Sequence, residues 1–171
     1  RQSGIRRQNP RRLVMQTPIR QKEVLCPSAQ HDSPDAKVFA VVGGTAEAAE
    51  VFYLSAPQPV TPQLLALAHP VAPAEVFRFA AKCAGSGCKH FAAEESKCRL
   101  AEKTVRWVSK AVESLPACTI RAHCRWFQQE GREACMRCPQ VVTNNPLPNE
   151  EMRVAGDPSR SIEATSNQTS I

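Results

Sequence analysis

The sequence predicts an α+β fold: a small antiparallel sheet packed on one long helix, with a helical cysteine-rich segment that binds metal. Short β-branched and aromatic runs at 37–42, 49–55 and 75–80 are typical of strands. Apolar residues recur at helical spacing over 97–115. Seven of the eight cysteines lie within 83–139, the stretch richest in chemically reactive side chains. These observations predict both the fold class and the position of the functional site.

The predicted sheet begins with a β-hairpin over Lys37–Leu54. Thr61 and Pro62 then suit the N-cap and the first position of a short helix. Threonine can accept from a first-turn amide, and proline needs no donor at that position. The third strand, 75–80, leads directly into Cys83. This order predicts a small sheet that feeds a metal-binding loop.

Residues 97–115 form the predicted long helix, and Pro116 ends it. Its apolar stripe consists of Leu100, Thr104, Trp107, Val108, Ala111, Val112 and Leu115. The opposite, charged face consists of Glu102, Lys103, Arg106, Lys110 and Glu113. A stripe of this kind packs on the core, so the charged face is expected to lie in solvent.

A further helical stretch is predicted at 123–138, bent or interrupted at Gly131. Cys135 and Cys138 are three residues apart and share a face in any helix. If the helix continues through the glycine, Cys124 lies on that face as well. Helical spacing therefore brings thiols together in this part of the chain.

Composition divides the chain into three parts. Residues 1–23 are basic and without periodicity, which predicts a disordered tail. Residues 24–143 form the predicted cysteine-rich metal-binding domain, with the sheet part at 36–80 and the cysteine cluster at 83–139. Residues 144–171 are polar, rich in Asn, Pro, Ser and Thr, and predict a disordered C-terminal tail.

The net charge of +6 belongs to the N-terminal tail. Residues 1–23 hold seven basic residues and one acidic residue, and the remainder holds 15 of each. Nucleic-acid binding is therefore expected only through the basic tail. No run approaches the roughly 18 apolar residues of a membrane span, and no apolar secretory signal core is visible. A cytoplasmic protein without membrane contact is predicted.

Eight cysteines in such a chain predict metal or redox chemistry rather than structural disulfides. The most compact set of four is Cys118, Cys124, Cys135 and Cys138. The other set is Cys83, Cys88 and Cys98, completed by Cys26 or by His90. Ligands can also interleave between sites, and a single centre could use only four thiols. The even number keeps a disulfide-stapled secreted domain as a third alternative.

Two features beside the cysteines favour an iron–sulfur cluster. Gly85 and Gly87 belong to a small-residue loop whose amides can approach sulfide or thiolate closely. Arg121 and Arg125 lie among the last cysteines, where cationic charge would offset an anionic centre. These four residues are therefore candidate cofactor-binding residues.

Structural zinc modules usually contain short Cys-x2–4-Cys pairs, whereas here only Cys135 and Cys138 have a two-residue gap and Cys83 and Cys88 have a four-residue gap, which departs from a zinc ribbon. The predicted cofactor is therefore an iron–sulfur cluster, one or two of the [4Fe–4S] type. The predicted function is electron transfer, redox sensing or service to a larger enzyme, with that enzyme or a redox protein as partner. The alternative is a structural zinc module that mediates protein or nucleic-acid interaction. No Ser/His/Asp arrangement or carboxylate pair predicts an enzyme in its own right.

Overall fold

The computed structural model describes residues 23–45 and 49–162. In this part of the chain, a four-stranded antiparallel sheet and a separate two-stranded hairpin are combined with six α-helices, so the predicted α+β class is confirmed. The strands are β1 (Leu25–Cys26), β2 (Lys37–Gly44), β3 (Ala49–Pro59), β4 (Phe77–Lys82), β5 (Phe91–Ala92) and β6 (Lys97–Cys98). The helices are α1 (Pro62–Ala66), α2 (Pro73–Val76), α3 (Arg99–Trp107), α4 (Arg125–Glu130), α5 (Arg132–Arg137) and α6 (Glu150–Gly156).

The large sheet has the strand order β1-β4-β2-β3, with every neighbouring pair antiparallel. The predicted hairpin is confirmed, although β3 continues past the predicted end of the strand at residue 55 to Pro59, which pairs with Lys37. A bulge between Val38 and Ala40 shifts the register and lets this pairing resume. Proline is tolerated there because β3 is an edge strand.

The two faces of this sheet pack against different parts of the chain. On one face, Val38 and Phe77 are buried together with Ala68, which lies just after α1. The start of α1 is as predicted, since Thr61 accepts a hydrogen bond from the Leu64 amide at 3.1 Å. On the other face, Phe39 and Ala40 pack with Ile120. The sheet therefore supports the cysteine-rich half of the chain directly.

The long helix predicted over 97–115 is wrong in length, because α3 ends at Trp107. Val108 is extended, and its carbonyl accepts from Arg137 Nε at 2.6 Å. The Ala111 amide donates to the Met136 carbonyl at 2.9 Å. These tertiary hydrogen bonds take backbone groups that a longer helix would pair internally. The apolar residues after Trp107 therefore do not continue the predicted stripe.

The prediction that the charged face of α3 lies in solvent is also wrong for Lys103, which is fully buried. Its Nζ donates to the Asp157 carbonyl and lies 3.5 Å from the Arg160 carbonyl. Both acceptors belong to the segment that follows α6. A buried ammonium needs such partners, because desolvation lowers the pKa of Lys103.

The predicted disordered tail contains a helix. Asn149 caps α6, accepting from the Met152 amide at 2.8 Å. Ala155 is buried where α6 packs on α3. The described part of the tail, 144–162, is thus ordered by tertiary packing that its polar composition concealed. The tail predictions for 1–22 and 163–171 lie outside the described residues.

The helical stretch predicted at 123–138 is two helices, because Gly131 adopts φ 61° and ψ −142° between α4 and α5. This conformation is available essentially to glycine alone. The predicted interruption at Gly131 is therefore confirmed, and the condition for one continuous cysteine face, a helix that continues through this glycine, is not met. Among residues 23–45 and 49–162, no helix is long and apolar enough to cross a bilayer.

Candidate metal centres

All eight cysteines lie in the described part of the chain and carry free thiols. They divide into two quartets, each of which lines its own cavity. The first quartet, called site A, is Cys26, Cys83, Cys88 and Cys98. The second, called site B, is Cys118, Cys124, Cys135 and Cys138. This is the partition predicted from spacing, with Cys26 in the first set.

Site A is assembled by strand pairing. β1 pairs with β4, so that Cys26 lies opposite Ala81. The Cys83 amide then donates to the Val24 carbonyl at 2.8 Å, which holds the end of β4 beside Cys26. Cys88 and Cys98 reach the same cavity through the turn after β4 and through β6. Long-range pairing thus brings the isolated cysteine to the cluster.

Burial and mutual repulsion oppose thiolate formation at site A. Burial, helped to a smaller extent by the neighbouring Cys98, Cys83 and Cys88, raises the pKa of Cys26 to about 12, although a hydrogen bond from the Ser28 amide lowers it. Burial also raises the pKa of Cys98. Thiols in this arrangement become thiolates readily only when a cation compensates their charge.

Site B is built by the ends of short helices. Cys124 is the N-cap of α4, Cys135 lies within α5, and Cys138 begins the 3-10 turn that follows α5. Cys118 precedes the 3-10 turn of residues Arg121–His123. The cavity between these thiols is about 20 Å³, whereas the cavity of site A is about 640 Å³. Site B therefore admits little more than one water molecule unless its thiols move.

Burial is also the main cause of the raised pKa values at site B. Burial raises the pKa of Cys124 to about 11. It raises the pKa of Cys138 well above its ordinary value, and the charges of Cys124, Cys118 and Cys135 add to that effect. Burial also raises the pKa of Cys135, although a hydrogen bond from the Arg121 side chain lowers it. Arg121 therefore places a cation directly against one thiol of site B.

Each site contains one thiol at the start of a helix. The amides of Ala101 and Leu100 lower the pKa of Cys98 at the start of α3. The amides of Phe127 and Trp126 do the same for Cys124 at the start of α4. Neither thiol makes a capping hydrogen bond of normal geometry. The first-turn amides nevertheless direct partial positive charge at both sulfurs.

Buried polar atoms without a hydrogen-bond partner collect at these sites. Within the described residues they are Arg78 Nε, His90 Nδ1, Thr104 Oγ1, Arg121 Nε and Nη2, Arg125 Nε and Trp126 Nε1. His90, Thr104 and Arg125 line site A, and Arg121 and Trp126 line site B. The charge of Arg78 acts on Cys138. Each unpaired donor costs about 1–3 kcal/mol, which an anionic acceptor group would offset.

The four candidate cofactor-binding residues have different positions. Arg121 lies at site B, whereas Arg125 lines site A with its guanidinium 5.4 Å from the Phe91 ring centre. The Gly87 amide donates to the Ala84 carbonyl at 3.1 Å, so it stabilises the turn and is not directed at sulfur. Gly85 adopts φ 53° in the same turn. The cofactor-binding role of Gly87 stays a prediction, with its amide paired inside the turn in this structure.

Two residues that the sequence interpretation passed over also act on the sites. Gln129 of α4 accepts from the Cys98 amide at 2.7 Å and donates to the Cys98 carbonyl at 3.1 Å. Arg78 is the second residue of β4, is buried, and acts on Cys138 of site B through its charge. An arginine inside an apolar strand could have indicated from the sequence that Arg78 has a special role. Nothing in the local sequence distinguishes Gln129 from its neighbour Gln128.

Two further findings complete the description. Among the described residues, no three His, Cys, Asp or Glu side chains stand close enough to hold a single metal ion as they are placed. Comparison with protein-family models, curated proteins and solved structures found no match to this chain.

Proposed function

We propose that this chain is an iron–sulfur protein with one [4Fe–4S] centre at site A and one at site B, where the thiols would have to move apart to admit it. It would serve electron transfer, redox sensing or a larger enzyme. The observation that carries the proposal is the separation of eight free thiols into two quartets, each surrounded by unpaired buried donors. Four thiolates are the ligand set of such a cluster.

The unpaired donors favour a cluster over zinc. A zinc ion presents only its four thiolates as acceptors, whereas a [4Fe–4S] cluster adds four sulfides that also accept hydrogen bonds. Arg121 and Trp126 would supply donors at site B, and Arg125 and His90 at site A. Donors and positive charge of this kind hold a cluster and set its reduction potential.

The side chains at each site would bind the cluster or shield it from water. At site A the ligands would be Cys26, Cys83, Cys88 and Cys98, with His90 as the alternative ligand beside them. At site B the buried Trp126 excludes water from one wall of the cavity. The bound clusters would supply one-electron chemistry, and a redox protein or a larger enzyme would be the partner. We place this activity in a reducing compartment such as the cytoplasm.

Anaerobic purification followed by visible absorption and by iron, sulfide and zinc analysis tests this function. A brown protein with about eight iron and eight sulfide per chain is expected. Cys88→Ala and Cys135→Ala, one at each site, should each retain about half of the iron. Colourless protein with stoichiometric zinc would replace the proposal with the structural zinc module, and protein with neither metal would refute both.

A further inference from the structure

A two-residue strand connects the two sites. Leu25 of β1 forms a parallel backbone bridge with Cys124 of site B, and the next residue, Cys26, belongs to site A. Bridged strands are about 4.8 Å apart and consecutive Cα atoms are about 3.8 Å apart. The backbones of Cys26 and Cys124 therefore come within about 9 Å of each other. Pro27, which follows, already lines site B.

A second connection runs through Gln129. Its amide group makes hydrogen bonds of 2.7 Å and 3.1 Å to the backbone of Cys98 in site A. Gln129 lies in α4, the helix that Cys124 of site B caps. This pair of bonds fixes the start of α3 against α4.

One buried cluster contains a thiol from each site. Cys98 and Cys124 belong to it together with Ala101, Trp126 and Ala134. The two thiols are therefore linked through packed apolar side chains. Electrostatic interactions are less screened in such an interior than in water.

We propose that the two centres form one electron relay within this chain, coupled through β1 and through the contact of Cys98 with Gln129. The proposal rests on the proposed iron–sulfur function. A one-electron donor protein reduces one cluster from [4Fe–4S]2+ to [4Fe–4S]1+. That cluster returns to the 2+ state when its electron passes to the other, which becomes 1+.

Electron paramagnetic resonance tests the coupling in the intact protein. Stepwise reduction with titanium(III) citrate should first give a simple spectrum from molecules with a single reduced cluster. At full reduction, with about two unpaired spins per chain, the spectrum should be broadened or split by spin–spin interaction. A fully reduced protein with about eight iron atoms and a plain sum of two independent signals would overturn the relay and leave the iron–sulfur function standing. Failure of that function would show earlier, as an absence of iron and sulfide.

The matched pair Gln129→Leu and Gln128→Leu tests the second connection. Gln128 lies beside Gln129 in α4 but is exposed, and its side chain contacts only the Ala122 carbonyl at 3.3 Å. Gln129→Leu should weaken the spin–spin interaction at unchanged iron content, whereas Gln128→Leu should match the wild type. An unchanged interaction in Gln129→Leu would remove this residue from the relay.

Discussion

Replacing Arg121 by leucine should lower the reduction potential of site B. The guanidinium of Arg121 lies against the Cys135 thiol and carries two donors that have no partner. A four-thiolate cluster becomes more negative when it gains an electron, so a nearby cation stabilises the reduced state more than the oxidised state. Removal of the cation therefore favours the oxidised state.

The size of the change in reduction potential follows from the distance between the Arg121 guanidinium and the cluster. A hydrogen-bonded guanidinium stands about 7 Å from the cluster iron, if the metal–sulfur bond is about 2.3 Å long. Two unit charges at that distance interact by about 2 kcal/mol at an effective dielectric constant of about 20. Arg121 is only half-buried, so solvent screening reduces this to about 1 kcal/mol. For a one-electron couple this is a fall of about 40 mV.

A potentiometric titration followed by electron paramagnetic resonance measures the change. Arg106→Leu is the matched control, because Arg106 is an exposed arginine of α3. The reduction potentials of both centres in the Arg106→Leu protein should stay within about 10 mV of the wild-type values, because exposed charges are strongly screened. A fully loaded Arg121→Leu protein with the wild-type potential at both centres would refute the assignment of Arg121 to site B.

Three further predictions concern stability, access and pH. Gly131→Ala should reduce the free energy of unfolding by about 1–3 kcal/mol in a denaturant titration, because Gly131 has a positive φ that alanine rarely adopts. The control Gly156→Ala should be neutral or slightly stabilising, because Gly156 has no such backbone constraint. A chain that ends at Pro148 lacks α6, which lines site A. Iron analysis of this truncated chain after exposure to a chelator should therefore show the loss of about half of its iron, the half bound at site A. Because burial raises the pKa of Cys26 to about 12 and of Cys124 to about 11, metal uptake by the metal-free protein must displace thiol protons. Its apparent metal affinity in chelator competition should therefore rise between about pH 6 and pH 9, and a fall would contradict the assigned ligands.

Features determined by neighbouring residues were predictable from the sequence. The hairpin and the Thr61 cap depend on local pattern and on side chains a few residues apart. Site B was also predictable, since its four thiols lie within 21 residues of chain, 118–138. Assigning Cys26 to site A needed the pairing of β1 with β4, which joins positions more than 50 residues apart. Spacing alone did not distinguish that thiol from His90, and both side chains line the cavity of site A.

The errors arise where tertiary contacts override local pattern. Apolar spacing continues to Leu115, but the backbone from Val108 onward pairs with Arg137 and Met136 instead of completing a helix. The helix α6 has a capping asparagine and two early glutamates, which is a start signal that the polar surroundings masked. Its stability comes from α3 and from Lys103, which no local pattern reveals.

The modest apolar core explains why the metal centres would matter for folding. In the described part of the chain, the buried apolar residues form four separate clusters, and many of them are alanines. Eight thiols and, among the described residues, seven unpaired polar atoms take positions that larger apolar side chains could otherwise fill. On the proposed function, metal binding would convert those unfavourable buried groups into ligands and hydrogen-bond donors, so its free energy would also be folding free energy. Because β1 carries a site A thiol and bridges to a site B thiol, loading either site would then order part of the other.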